Sequence, residues 1–175
     1  MTPQQIIQQN LEIREFLAAL YSKYFEDHDG YIELRFKNEE TKACFSKFYR
    51  LDDINDRSIN EIRRLNTTCH VYLGVNPRPR SQAKKQADIQ DFVCLWADVD
   101  ANKFNNDKAK AYERIEAFPI SPTIIIDSGH GFHCYWVFEV PMLLLSTEER
   151  LEFKQTLSGI IEKLGGDEKK AHLDS

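Results

Sequence analysis

The chain has 175 residues, 42% of them hydrophobic and 11% aromatic, enough to bury one good core that can be organised as two subdomains. A net charge of -5 with a pI of about 5.6 and a mean hydropathy of -0.52 argues against a strongly basic DNA-coating protein, although a local patch can still serve a nucleic acid or a triphosphate. No apolar run approaches the ~20 residues a membrane span needs, and no basic region followed by an apolar stretch opens the chain. The expectation is a cytoplasmic protein with no membrane partner. Cys44, Cys69, Cys94 and Cys134 are widely spaced without a C-x-x-C pair, which favours reduced, mostly buried thiols over a zinc site or a disulfide framework.

In chain order, "TPQQIIQQNLEIREFLAAL" opens with Thr2 as N-cap, Pro3 at the first helical position and Gln5 closing a capping box. Ile13, Phe16, Leu17 and Leu20 follow at helical spacing and predict a core-facing stripe. "GYIELRFK" alternates Tyr31, Glu33 and Arg35 against Ile32, Leu34 and Phe36, a half-buried strand. A short helix is predicted from Ser58 to Leu65, with Ser58 and Glu61 as its capping pair, then a strand at "CHVYLGV". The loop "NPRPRSQAKK" carries Arg78, Arg80, Lys84 and Lys85 with no intervening acid. By itself it fits a solvated, Pro-containing loop.

"DFVCLWADVD" is apolar enough to predict an interior strand. "NNDKAKAYERIEAF" is a helix stopped by Pro119, and "TIIID" with "HCYWVFEV" forms a hairpin. The last helix starts at a Ser146/Glu149 capping box, lines Leu157, Ile160, Ile161 and Leu164 on one side, and ends at Gly165-Gly166. Strand, helix, hairpin, helix and then a missing strand is an order that resembles a ferredoxin-like half-sheet covered by helices. The domain expectation is an N-terminal α/β unit over 1–86 and a second unit over 87–175.

Chemistry concentrates in this second unit. Asp98 and Asp100 stand two apart at a strand end, so strand geometry places both carboxylates on one face. Side by side they repel, and a hard divalent cation such as Mg2+ or Mn2+ relieves the conflict. Alone, the pair equally fits a strand running into a polar turn. Gly129 and Gly131 flank His130, which lets the bend take positive φ and lets a ligand approach the backbone. His133 then opens the second hairpin strand, where an imidazole beside turn amides can meet a phosphate. A structural histidine is the plainer alternative.

Taken together, "VYLGVNPRPR", "LWADVD" and "SGHGFHCYW", in this order, resemble the archaeo-eukaryotic primase superfamily, most closely the primase-polymerases of plasmids, phages and other mobile elements. The likeness runs from about Tyr31 to the C-terminus. Asp98 and Asp100 match the acidic D-x-D motif, Gly131-Phe132-His133 the second motif, and Leu173-Asp174 the third, with Asp167 as a rival for that last position. The resemblance implies an α+β fold: a primase-polymerase catalytic core with an N-terminal α/β unit and an RRM/ferredoxin-like palm. It implies catalytic Asp98, Asp100 and Asp174 holding two Mg2+ or Mn2+ ions. It also implies a nucleotide site from Ser128, Gly129, Gly131, His133 and Arg78, with template or phosphate contacts from Arg80, Lys84 and Lys85. The partners implied are nucleoside triphosphates, a single-stranded DNA template and a helicase domain or partner. Relatives continue past the third motif with an Arg-rich strand and a Pro-Gly turn, whereas Ser175 ends this sequence one residue after Asp174. A truncated palm, weakly active or inactive by itself, is the expectation.

Two other readings compete. "DVDANKFNND" and "GGDEK" are similar to stretches of diguanylate cyclases, but Gly165-Gly166 terminate a capped helix where a cyclase needs a β-turn, and Lys169 replaces the expected Phe. The second is a non-catalytic replication or DNA-binding module that keeps the primase fold, in line with the acidic pI.

Overall fold

The computed structural model describes residues 2–166, so Asp167, Leu173 and Asp174 lie outside the described residues. The fold is mixed α+β with two small sheets, and it divides into two compact units between Asp91 and Phe92, against an expected boundary at 86/87.

The first unit contains α1 (Pro3–Asp27), β1 (Tyr31–Asn38), β2 (Cys44–Tyr49), α2 (Asp56–Leu65) and β3 (Cys69–Arg78). α1 starts where the sequence dictates. The Thr2 hydroxyl accepts the Gln5 amide at 3.2 Å, and the Gln5 side chain accepts the Thr2 amide at 2.7 Å. Its buried apolar stripe is Leu17, Leu20, Tyr21 and Tyr24, while Ile13 is exposed. The helix stays polar one turn earlier because Asn10 is buried there, donating to Asp56 at 3.0 Å and accepting from Arg63 at 2.7 Å. α2 begins earlier than predicted. Asn55 is its cap, accepting from the Arg57 and Ser58 amides, and Ser58 is the reciprocal partner at the third position. Asn caps as well as Ser does and comes first in the chain.

The sheet runs β2-β1-β3, antiparallel throughout; β2 lies outside the predicted elements. Leu34, Phe36, Val71 and Leu73 pack with Ile62 and Leu65 of α2. Near its end β3 bulges: Tyr31 pairs with Arg78 but Glu33 pairs with Gly74. Extra residues on one strand re-aim the side chains that follow, and Arg78 meets Glu33 with both side chains buried. Its Nη2 lies 2.7 Å and its Nε 2.9 Å from Glu33 Oε2. Ser46 and Arg35 donate to Oε1 of the same carboxylate at 2.7 and 3.1 Å. A Cβ on Gly74 would stand 3.1 Å from Arg78 Nη2 and 3.2 Å from Glu33 Cβ, so glycine leaves room for the pair. Burial pushes the Glu33 carboxyl up, but hydrogen bonds from Arg35 and Ser46 and the charges of Arg78 and Arg35 outweigh it and hold it below the usual carboxylate range.

The second unit continues β4 (Asp91–Asp100) into α3 (Lys108–Glu116), β5 (Ile124–Asp127), β6 (Gly131–Leu143) and α4 (Thr147–Lys163). Its strand order is β4-β6-β5, so β6 enters between the two strands that α3 connects. Among the described residues the central strand is therefore β6, with β4 at one side of it. The apolar run of β4 instead reflects burial of residues on both its faces, Phe92, Val93, Cys94, Trp96, Ala97 and Val99. Phe153 of α4 packs against Phe92 with ring centroids 4.6 Å apart. α4 carries the expected box, Glu149 accepting the Leu145 and Ser146 amides at 2.9 Å, and Gly165 follows it at φ +74°. Cys69, Cys94 and Cys134 are buried free thiols and Cys44 is exposed. Among the described residues no helix is long and apolar enough to cross a membrane.

Removing Glu33 leaves a buried guanidinium without its carboxylate. Glu33→Ala is expected to cost about 3–5 kcal/mol in urea denaturation. Because the folded-state value is lowered, this stabilisation is present above the unfolded carboxyl pKa of about 4.3 and is lost as pH falls through the folded value. The acid limb of the stability–pH curve should flatten in the variant.

Candidate functional site

The second unit gathers its polar chemistry where β4 ends and β6 begins. Asp98 and Asp100 are both partly exposed, with Val99 fully buried between them, the burial pattern expected of a shared face. Gly131 fixes how β6 meets this end: a Cβ there would lie 2.2 Å from the Val99 carbonyl oxygen and 2.9 Å from Asp100 Cα. The Ala101 amide donates to the His130 carbonyl at 2.9 Å. The second glycine of the bend therefore serves the approach of one strand to another, where the sequence predicted room for a ligand. Gly129 does take positive φ, at +87°.

Two residues beyond Gly131, His133 Nε2 stands 3.8 Å from Asp98 Oδ1, with the side chains 45% and 34% exposed. That separation is ion-pair range for a protonated ring and too long for a good hydrogen bond. Both groups reach solvent, so either can turn to a third party. Asp98 leaves its mark on its neighbours. Burial, helped by the Asp98 charge, pushes the Cys134 thiol up to about 12. Burial also raises the Tyr135 hydroxyl, with the charges of Cys94 and Asp98 adding to it. Asp100 is occupied locally. Its oxygens accept the Asn102 amide at 3.1 Å and the Asn102 side chain at 3.0 Å, capping the short 3-10 turn Ala101–Phe104.

The bend itself is braced from α3. Lys108 Nζ lies 2.7 Å from both Asp127 carboxylate oxygens and 5.3 Å from the Phe132 ring centroid. Asp127 also accepts the Gly129 amide at 2.7 Å, and the Ser128 amide donates to the Gly131 carbonyl at 3.0 Å. The Lys108 and Gly129 hydrogen bonds hold the Asp127 carboxyl below the usual range. The turn amides of Ser128 and Gly129, expected to face a ligand, are thus consumed inside the bend. Lys108 and Asp127 were not anticipated, and their 19-residue separation carries no local signature.

The remaining expected residues sit elsewhere. Arg78 is not an exposed phosphate contact: it is buried in the first unit and ion-paired with Glu33. Arg80, Lys84 and Lys85 are exposed on the segment after β3, where Arg80 reaches Asp88 at 3.3 Å and the Lys85 amide donates to Asp88 at 3.1 Å. Asp174 lies outside the described residues. Asp98 and Asp100 supply the hard oxygen donors a Mg2+ or Mn2+ ion prefers, while among the described residues no three His, Cys, Asp or Glu side chains converge on a metal position.

Gly131→Ala should force β4 and β6 apart, lowering stability by about 1–3 kcal/mol or more, read as a drop in Tm. Lys108→Met should let the Asp127 pKa, followed by carboxyl NMR, rise toward about 3.9 and speed amide exchange at residues 128–130. Comparison of the chain with protein-family models, with curated proteins and with solved structures returned no match.

Proposed function

We propose that the chain is catalytic core of a template-directed nucleotidyltransferase, a primase-polymerase that makes or extends primers from nucleoside triphosphates. The observation that carries this reading is the 3.8 Å approach of His133 to Asp98. Two motifs separated by more than thirty positions in the sequence meet at one strand end, as a shared nucleotide and metal site requires. The strand order β4-β6-β5 with α3 as crossover is also the order of the first three strands of a ferredoxin-like palm.

In this reading Asp98 and Asp100 hold divalent ions, with Asp174 as the third ligand implied by family resemblance. When bound, such ions neutralise the triphosphate and lower the pKa of the attacking 3′-hydroxyl. His133, half-exposed beside Asp98, takes a phosphate oxygen of the incoming nucleotide. Gly131 holds β6 close enough to β4 that the imidazole and the acids face one ligand. The exposed Ser128 and His130 border that position.

One observation favours a non-catalytic module instead: Asp100 caps a turn through Asn102, a structural use for an acidic residue. Mn2+ separates the two. In the catalytic reading, saturating Mn2+ at a hundredfold over its Kd stabilises the fold by about 2.7 kcal/mol, and Asp98→Ala abolishes the gain. Primer synthesis should fall by about a hundredfold or more in each of Asp98→Ala, Asp100→Ala and His133→Ala, with circular dichroism unchanged. Wild-type activity in any of the three ends the proposal.

A further inference from the structure

The sheet of the first unit has a second face, opposite Leu34 and Phe36, that presents polar and aromatic side chains to solvent at one end. Antiparallel register fixes its members. Arg35 lies opposite Tyr72 on β3 and Ser46 on β2, and Lys37 lies opposite His70 and Cys44. Directly paired residues share a face with side chains about 4.5–5.5 Å apart, so two rungs cross the β1–β3 pair, each of one ring and one cation. Tyr72 is 51% exposed and His70 61%. Their rings stand 6.4 Å apart, tilted by 57°, and Lys37 is exposed while Arg35 is partly so.

Charge on this face is positive. Glu33 closes its far end, buried and neutralised by the buried Arg78, which leaves Arg35 as the guanidinium that reaches solvent. Lys37 adds a second solvent-facing cation. The exposed acid reaching the rungs is Glu39, 3.6 Å from His70. In a chain of net charge -5, such a surface is a local exception. Solvent-facing rings interleaved with cations on an open sheet are what a single-stranded nucleic acid requires: bases stack on the rings and phosphates meet the cations. Duplex readout needs an element shaped for a groove, and a flat three-stranded face does not provide one. The rungs repeat every two residues, about 6.6 Å along the strand, a spacing that successive nucleotides of an extended strand can follow.

We infer that this face, through Tyr72, His70, Arg35 and Lys37, docks a single nucleic-acid strand. The inference rests on the template-directed reading for its biological purpose, and it assigns the template to the open sheet in place of the Arg80–Lys85 segment. The glutamate behind the rungs contributes indirectly: paired with the buried Arg78, it orients Arg35 through the 3.1 Å contact to Arg35 Nε.

The test is fluorescence anisotropy of a labelled oligodeoxythymidylate of about 12 nucleotides with the full chain, without metal or nucleotide. Tyr72→Ala should weaken binding about tenfold, the loss of one stacked base. Lys37→Ala should reduce the slope of log K against log salt by about 0.7, and a change at the exposed Glu116 of α3, Glu116→Ala, should bind as wild type does. Binding unchanged in Tyr72→Ala and Lys37→Ala overturns the inference, as does an Arg80→Ala/Lys84→Ala/Lys85→Ala variant that alone abolishes it. Failure of the wild-type chain to bind, or self-association lost in Tyr72→Ala, overturns it too. The two proposals fail separately. Unaltered face variants with a Mn2+ response sensitive to Asp98 leave the polymerase reading standing, and impaired face variants with no Mn2+ response leave only the docking face.

Discussion

The Val99 carbonyl oxygen occupies the place where any side chain on residue 131 would start, 2.2 Å from an ideal Cβ. This steric constraint sets how β6 lies against the end of β4, and the candidate site follows from it. With Gly131 seated there and the His130 carbonyl bonded to the Ala101 amide, the residue two further along reaches Asp98. The meeting of His133 and Asp98 is thus imposed by backbone packing, not by the weak attraction between two half-exposed groups. Lys108 and Asp127 tie the bend to α3 from the other side, so the candidate residues project from a braced frame.

The first unit shows a different logic. Its polar centre, Glu33 with Arg78, is withdrawn from solvent and held by hydrogen bonds from Ser46 and Arg35. Ionised pairs cost desolvation energy that only good geometry returns, and here the β3 bulge and the small Gly74 supply that geometry. A consequence is that Arg35 faces outward with its head fixed, so the open sheet presents an ordered cation beside Tyr72 instead of a flexible one.

Local chemistry was legible in the sequence, and long-range pairing much less so. Thr2 with Gln5 and Ser146 with Glu149 form the expected boxes because each depends on residues three apart. The Asp98–Asp100 pair and the glycine-flanked bend were visible as motifs, and their convergence follows from a hairpin beside a strand end. Arg78 was misread because "NPRPR" looks like a solvated basic loop. Its burial depends on a bulge and on Glu33, 45 residues earlier, which alternation alone places on the polar side of β1. Position in the sheet was less legible, since hydrophobicity reports that β4 is buried but not that, among the described residues, β6 is the strand with two neighbours.

The central claim is that His133 and Asp98 border one divalent-ion site, and paramagnetic relaxation tests it directly. Substoichiometric Mn2+ added to the chain with a nonhydrolysable nucleoside triphosphate should broaden the His133 imidazole proton resonances. Asp98→Ala should restore the His133 signals. Unbroadened His133 resonances under conditions where Mn2+ is bound would contradict the account.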